Sequence, residues 1–514
     1  MMMRSILIGI SIAGAALPAC AQEVGTDAGA VRGTVAGGVE AFRGIPFAAP
    51  PVGALRWRAP QPVTPWRGVR DASRYGHDCA QLPFPSDAAP LGTAPSEDCL
   101  VLNVWRPAGV KGPLPVLFWI YGGGFVNGGS SPAVYDGSAL ARRGLIVVSA
   151  NYRLGRFGFF VHPALAAAQE APVGNWGLMD QHAALDWVKR NIARFGGDPA
   201  KVTIMGESAG GMSVLDLLGA PAMRGRFRAA IVMSGGGRSG GVMQTPTREE
   251  AEKAGVAFAR SAGITGVDAA ALARLRALST EQVIGGINLA TLFAPPAGER
   301  SWTGPWRDGI TITGTSEEVF ARGGFAPVPV MVGATSADIG PLPVRDKDGL
   351  FAIFGPRSAA ARAAYDPDGS RPLAALSAAV GADRLMIEPA RYIAGNVRAA
   401  GQPAFHYRFA YVASAAGQPQ GAGAGHASDI PYFLDTVRTK YGAATDARDE
   451  RMGQAIGDYV AQFVRTGSPA APGRPAWPPF DGRSVMTFGP DGTAADGPDD
   501  RAALLDLHEP GAAR

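Results

Sequence analysis

Short apolar, β-branched runs alternate along the chain with longer stretches of helical period. Residues 116–120, 145–150, 202–205, 229–233 and 328–332 are almost continuously apolar. A strand covered on both faces has this character, whereas a half-exposed strand alternates. These five runs are therefore expected inside a parallel sheet. Between them, residues 178–194 place Leu185, Val188 and Ile192 on one helical face, and residues 451–464 are amphipathic near the end of the chain. Residues 212–218 read as a helix directly behind the strand 202–205. This strand–helix–strand repetition predicts an α/β fold with a doubly wound, mostly parallel central sheet and helices on both faces. No internal repeat or long linker divides it, so residues 22–514 are expected to form a single domain. Residues 292–314, with Pro295, Pro296, Trp302 and Trp306, read as a loop over one face of the sheet.

Composition removes alternatives more than it adds detail. The chain has 514 residues, 46% hydrophobic and 18% charged, ample for a globular core. Its 70 glycines and 42 prolines are dispersed and punctuate loops. The formal net charge is +4 without a Lys/Arg cluster, so neither a nucleic-acid groove nor an anionic-membrane patch is expected.

The N-terminus changes the picture. Arg4, an apolar run over 6–17 and Pro18-Ala19-Cys20-Ala21-Gln22 describe a secretory signal peptide over 1–21, cleaved after Ala21. The run is shorter than the ~20 residues that span a bilayer. A lipoprotein signal competes, with Leu17-Pro18-Ala19-Cys20 as its box and Cys20 lipidated, although Pro18 is unusual there. Both readings place the mature protein outside the cytoplasm, periplasmic, secreted or anchored. Export leaves Cys79 and Cys99 as an even pair in an oxidising compartment. A disulfide between them would contribute roughly 3 kcal/mol in the chain-entropy model. Two separate buried thiols are the other reading.

The candidate chemistry centres on Gly206-Glu207-Ser208-Ala209-Gly210. A serine hydroxyl is a weak nucleophile and must be presented to a base in fixed geometry. A sharp strand-to-helix turn does this but crowds the positions two residues to either side, which glycine relieves. Here the strand 202–205 precedes Ser208 and the helix 212–218 follows it. Acyl transfer also needs donors for the developing oxyanion. Tyr121-Gly122-Gly123-Gly124-Phe125 follows the strand 116–120, and its glycines allow backbone N–H groups to converge on one point. Ala209 adds an N–H from the helix start.

A base is needed, and in this architecture the chain order is serine, acid, histidine. The histidines beyond Ser208 are His406, His426 and His508. His406 lies in the alternating run 404–411, where a packed or solvent-facing imidazole is expected. His508 lies in the C-terminal tail, expected to fray. His426 follows the glycine-rich run 421–425 and is the expected base. The expected acid is Asp338, in the loop 333–338 behind the strand 328–332, where it would hold the imidazole's tautomer and stabilise its cation.

Several ordered motifs carry a resemblance. They are Phe42-Arg43-Gly44-Ile45-Pro46-Phe47, Glu97-Asp98-Cys99-Leu100-Val101-Leu102-Asn103-Val104-Trp105 and Asn151-Tyr152-Arg153-Leu154-Gly155. Gly174-Asn175-Trp176-Gly177-Leu178-Met179-Asp180-Gln181 and Phe195-Gly196-Gly197-Asp198-Pro199 follow. The chain resembles the type-B carboxylesterases, which include bacterial para-nitrobenzyl esterases and cholinesterases, over nearly all its mature length. The resemblance implies the α/β-hydrolase fold, the disulfide Cys79–Cys99, and Gly123, Gly124 and Ala209 as oxyanion donors. Two positions depart from the family. Tyr121 stands where many relatives carry histidine, and Asp338, between Ala337 and Ile339, stands where they carry the glutamate of an Asp-Glu-Gly run.

The leading expectation is a serine carboxylesterase acting on small-molecule esters through Ser208, His426 and Asp338, without metal or organic cofactor. The competing expectation is a catalytically inactive, cholinesterase-like binding protein, supported only by the shortened acid. Trp302, Trp306, Phe125 and Phe293 fit an aromatic-lined entrance and core packing equally well.

Overall fold

The computed structural model describes residues 20–84, 89–109, 111–168, 174–238, 245–293, 304–417 and 423–509. Residues 1–19 of the predicted signal segment, Pro295, Pro296, Trp302 and glycine-rich residues 421–422 lie outside them. Among the described residues a sheet of 13 strands runs through the protein.

Five strands come from the N-terminal part: β1 (Cys20–Gly25), β2 (Ala30–Ala36), β3 (Val39–Pro46), β4 (Val69–Asp71) and β5 (Val101–Pro107). The centre is β6 (Leu114–Ile120), β7 (Ile146–Ala150), β8 (Gly197–Glu207), β9 (Ala229–Met233), β10 (Val330–Thr335) and β11 (Ala404–Phe409). Strands β12 (Ser484–Phe488) and β13 (Ala494–Pro498) finish it. The order is β1-β2-β3-β5-β7-β6-β8-β9-β10-β11-β12-β13, with β4 beside β2. From β7 to β12 every neighbouring pair is parallel. The sheet turns antiparallel where β5 meets β7 and where β13 meets β12, while β4 lies parallel to β2.

The apolar runs became the central strands because helices cover both faces. Every residue of β7, β9 and β10 is buried. The predicted strand 328–332 begins later, at Val330, because Pro327 and Pro329 supply no N–H to a ladder. The alternation expected over 404–411 is absent: all six residues of β11 are buried, since the polar face is covered too, His406 packing on Phe480 and Arg408 pairing with Asp499. The predicted helices appear as Trp176–Asn191, Ala209–Gly219 and Ala447–Thr466.

The family motifs lock the sheet edge to the loops above it. Asn103 Oδ1 accepts from Gly44 N, while its Nδ2 donates to Ser130 Oγ and Ser149 Oγ. Asn151 Oδ1 accepts from Ser130 N, and its Nδ2 donates to the carbonyls of His77 and Cys99. Arg153 donates from N and Nε to Asp180 Oδ2, and from a terminal nitrogen to Asp180 Oδ1. Both ends of this pair are buried, so three hydrogen bonds offset the desolvation of two charges. Cys79 and Cys99 form a disulfide.

Candidate active site

Strand β8 ends at Glu207, and Ser208 turns the chain into the helix Ala209–Gly219. Its backbone has φ 56° and ψ −123°, a conformation disfavoured for an L-residue and kept only where surroundings impose it. Here Ser208 N donates to Met233 O at 2.9 Å and Met212 N to Ser208 O at 2.8 Å. The flanking glycines are steric requirements. A Cβ on Gly206 would lie 2.3 Å from Gly210 O, and one on Gly210 would lie 2.1 Å from Ile120 O.

Strand β6 runs beside β8 and delivers the glycine loop to the serine. A Cβ on Gly122 would lie 2.9 Å from Ser208 Cβ. Gly123 and Gly124 have φ of 101° and 63°, which glycine adopts readily. The Gly123 carbonyl accepts from Val126 N at 3.1 Å and Asn127 N at 2.9 Å. In a trans peptide the N–H points opposite the carbonyl, so the Gly124 N–H faces away from this turn. Tyr121 fixes the root of the loop: its ring stacks on Tyr152 at 4.5 Å, and Tyr152 Oη donates to Tyr121 O. Ala209 contributes a first-turn N–H, a position with no intrahelical acceptor.

The loops after β10 and β11 converge. Ala337 and Gly425 form a parallel bridge, Ala337 N donates to Ala424 O, and Ala424 N donates to Ser336 Oγ. This tie brings Asp338 Oδ1 to 2.6 Å from His426 Nδ1. The rest of the carboxylate is saturated: Oδ2 accepts from Ser234 Oγ, Thr335 N and Thr335 Oγ1, and Oδ1 also accepts from Ile339 N. Burial pushes Asp338 up, but the His426 charge and these hydrogen bonds outweigh it and hold the carboxyl below its ordinary value. Burial likewise pushes His426 down, yet the carboxylates of Glu207 and Asp338 prevail and raise it to about 9. Its Nε2 lies 3.2 Å from Glu207 Oε1, a charge contact without hydrogen-bond alignment.

Ser208, His426, Gly123 and Gly124 line one cavity of about 660 Å³ with mostly apolar walls. Asp338 and Ala209 are buried behind that lining. The other histidines are elsewhere. His406 is buried in β11 and lowered to about 3 by burial and then by Arg408. His508 does not fray: it is 8% exposed, 2.9 Å from Tyr365 Oη and packed on Phe354. Phe125 and Trp306 pack in the core, while Trp302 and the Phe293 side chain lie outside the described residues. No metal-binding group of His, Cys, Asp and Glu occurs among the described residues.

Three polar groups at the site carry no clear signal in the sequence. Glu207 belongs to the elbow motif, but its contact with His426 depends on the histidine loop folding back. Ser234 follows β9 at φ 45° and bonds Asp338. Asp429 is buried, accepts from Tyr407 Oη, and is pushed up to about 7 by burial and then by the charge of Asp338. Only its position three residues after His426 hinted at a role.

The model of the carboxylesterase family matches residues 21–348 and 359–500. Fumonisin B1 esterase of Sphingopyxis macrogoltabida is 36% identical over 487 residues, covering 90% of this chain and 86% of that protein. Para-nitrobenzyl esterase of Bacillus subtilis (strain 168) is 41% identical over 328 residues, 61% of this chain and 62% of that protein. A solved structure of a PNB esterase superposes with a TM-score of 0.82 at 32% identity, covering 95% of this chain and 100% of that one. The chain therefore belongs to the carboxylesterase family, with its α/β-hydrolase fold, and is a carboxylic-ester hydrolase.

Proposed function

We propose that the protein hydrolyses small-molecule carboxylic esters through an acyl-enzyme on Ser208. Ser208 Oγ attacks the ester carbonyl while His426 Nε2 takes its proton. The carbonyl oxygen becomes an oxyanion facing the N–H groups of Gly123, Gly124 and Ala209. The intermediate collapses, the C–O bond to the alcohol breaks, and His426 returns the proton to the departing alkoxide. Water then attacks the acyl-enzyme with His426 again as base, releasing the carboxylic acid and free Ser208. Asp338 keeps the Nδ1 proton in place and stabilises the imidazolium.

The observation that carries this reading is the 2.6 Å contact between Asp338 and the Nδ1 of a histidine that shares its cavity with Ser208. It favours catalysis over the inactive-scaffold reading, because the aspartate reaches the imidazole despite its shorter side chain. The cavity walls include Phe84, Val134, Tyr135, Met212, Ile339 and Met386, so apolar acyl or alcohol groups are the preferred substrates. Residues 1–21 direct export on this reading, in keeping with the Cys79–Cys99 disulfide, and residues 22–514 act as one catalytic unit. No helix among the described residues is long and apolar enough to cross a membrane.

The test is release of p-nitrophenol from p-nitrophenyl butyrate. The wild type should turn over and a folded Ser208→Ala variant should not. Absent wild-type turnover, or turnover retained by the variant, would overturn the assignment.

A further inference from the structure

The loop closed by Cys79 and Cys99 grips the glycine loop through Gln81. Gln81 is buried, and both ends of its amide are bonded. Its Nε2 donates to Gly128 O at 2.6 Å and to Cys79 O at 2.9 Å. Its Oε1 accepts from Gly128 N at 2.9 Å and from Asn127 Nδ2 at 3.1 Å. Asn127 is 1% exposed and joins three segments. Its Nδ2 also donates to Leu82 O, its Oδ1 accepts from Leu289 N, and its backbone N closes the turn on Gly123 O. One residue before Cys79, Asp78 takes hydrogen bonds from Ser131 N and Oγ. A Cβ on Gly129 would lie 2.0 Å from Asp78 Oδ1. The segment 127–131 is thus held by side chains from either side of Cys79.

We infer that Gln81 is a positioning residue for the oxyanion site. Through Gly128 and Asn127 it fixes the turn that aims the Gly123 and Gly124 N–H groups, and the disulfide fixes Gln81. The inference rests on the assignment of those glycines proposed above. Its physical basis is that oxyanion donors stabilise the transition state only when already aimed, so the groups that hold them act on turnover rather than on substrate binding. The same loop supplies Phe84 and Ala89 to the cavity wall, and Asn127 holds Leu289 on another wall. Gln81 itself bonds none of these wall residues, so its loss falls on the donors rather than on the substrate surface.

The experiment first establishes that the wild type turns over p-nitrophenyl butyrate and that Ser208→Ala does not, so failure of the catalytic assignment is seen separately. Gln81→Met keeps the side-chain length and removes both hydrogen-bonding ends. With active sites counted by fluorophosphonate titration, its kcat should fall roughly 10- to 100-fold while KM changes less than about threefold. Affinity for a trifluoromethyl ketone, whose serine adduct places an oxyanion in the site, should fall in parallel with kcat/KM. Reduction of the wild-type disulfide should reproduce that signature. If Gln81→Met does not fold, Gln81→Glu takes its place: it keeps the oxygen that accepts from Gly128 and Asn127, and a smaller fall of the same kind is expected. Unchanged kcat per titrated site, or a lower kcat with unchanged ketone affinity, overturns the inference.

Discussion

Glu207 Oε1 approaches His426 Nε2 to 3.2 Å, so the imidazole has a carboxylate at each nitrogen, with Asp338 on Nδ1. Both negative charges favour the imidazolium and raise His426 to about 9. A general base must be neutral, so kcat/KM should climb through the alkaline range, with its acid limb well above that of an ordinary histidine near 6.5. Removing one charge reverses part of the effect. Glu207→Gln should move the limb to lower pH by about one unit or more, read from kcat/KM profiles of both proteins. A limb that stays in place would show that Glu207 does not face the catalytic imidazole.

The Asp338 carboxylate is expected to act through the tautomer it imposes. Asp338→Asn should preserve the fold and lower kcat by about 10⁴-fold. Ser234→Ala removes one of three donors to Oδ2 and leaves Thr335 in place, so its kcat should fall only about 10-fold. The measurement is steady-state turnover of one ester by the two variants. Equal losses would contradict the separation of roles between the acid and its support.

The elbow makes a steric prediction. A methyl group at position 210 meets Ile120 O at 2.1 Å, and that oxygen belongs to a central strand that cannot yield. Gly210→Ala should cost about 3 kcal/mol or more in chemical denaturation and leave little turnover. Tolerance of the methyl would mean that the turn is not constrained as described.

The parts of the site that depend on local geometry were legible in the sequence. The glycines around Ser208 are required within a few residues of it, and the strand and helix beside them are written in neighbouring positions. His426 and Asp338 followed from chain order and from loops placed after apolar strands. The shortened acid looked like a departure because no local signal reports how closely two loops approach; the Ala337–Gly425 bridge supplies that approach. Ser234 and Asp429 stayed hidden for the same reason, since each matters only through a partner distant in sequence. His508 was misread because a terminal position suggests fraying, whereas Tyr365 and Phe354 bury it. The alternation expected over 404–411 failed because Phe480 and Asp499, distant in sequence, cover the face that carries His406 and Arg408, which periodicity does not encode.

The central claim is that Ser208 is the nucleophile. Its most direct test is to inactivate the enzyme with a fluorophosphonate and locate the adduct by peptide mass spectrometry. One phosphonyl group is expected, on Ser208, formed in step with the loss of ester hydrolysis and absent in His426→Ala over the same interval. Full inactivation with the adduct on another residue, or modification of Ser208 without loss of activity, would contradict it.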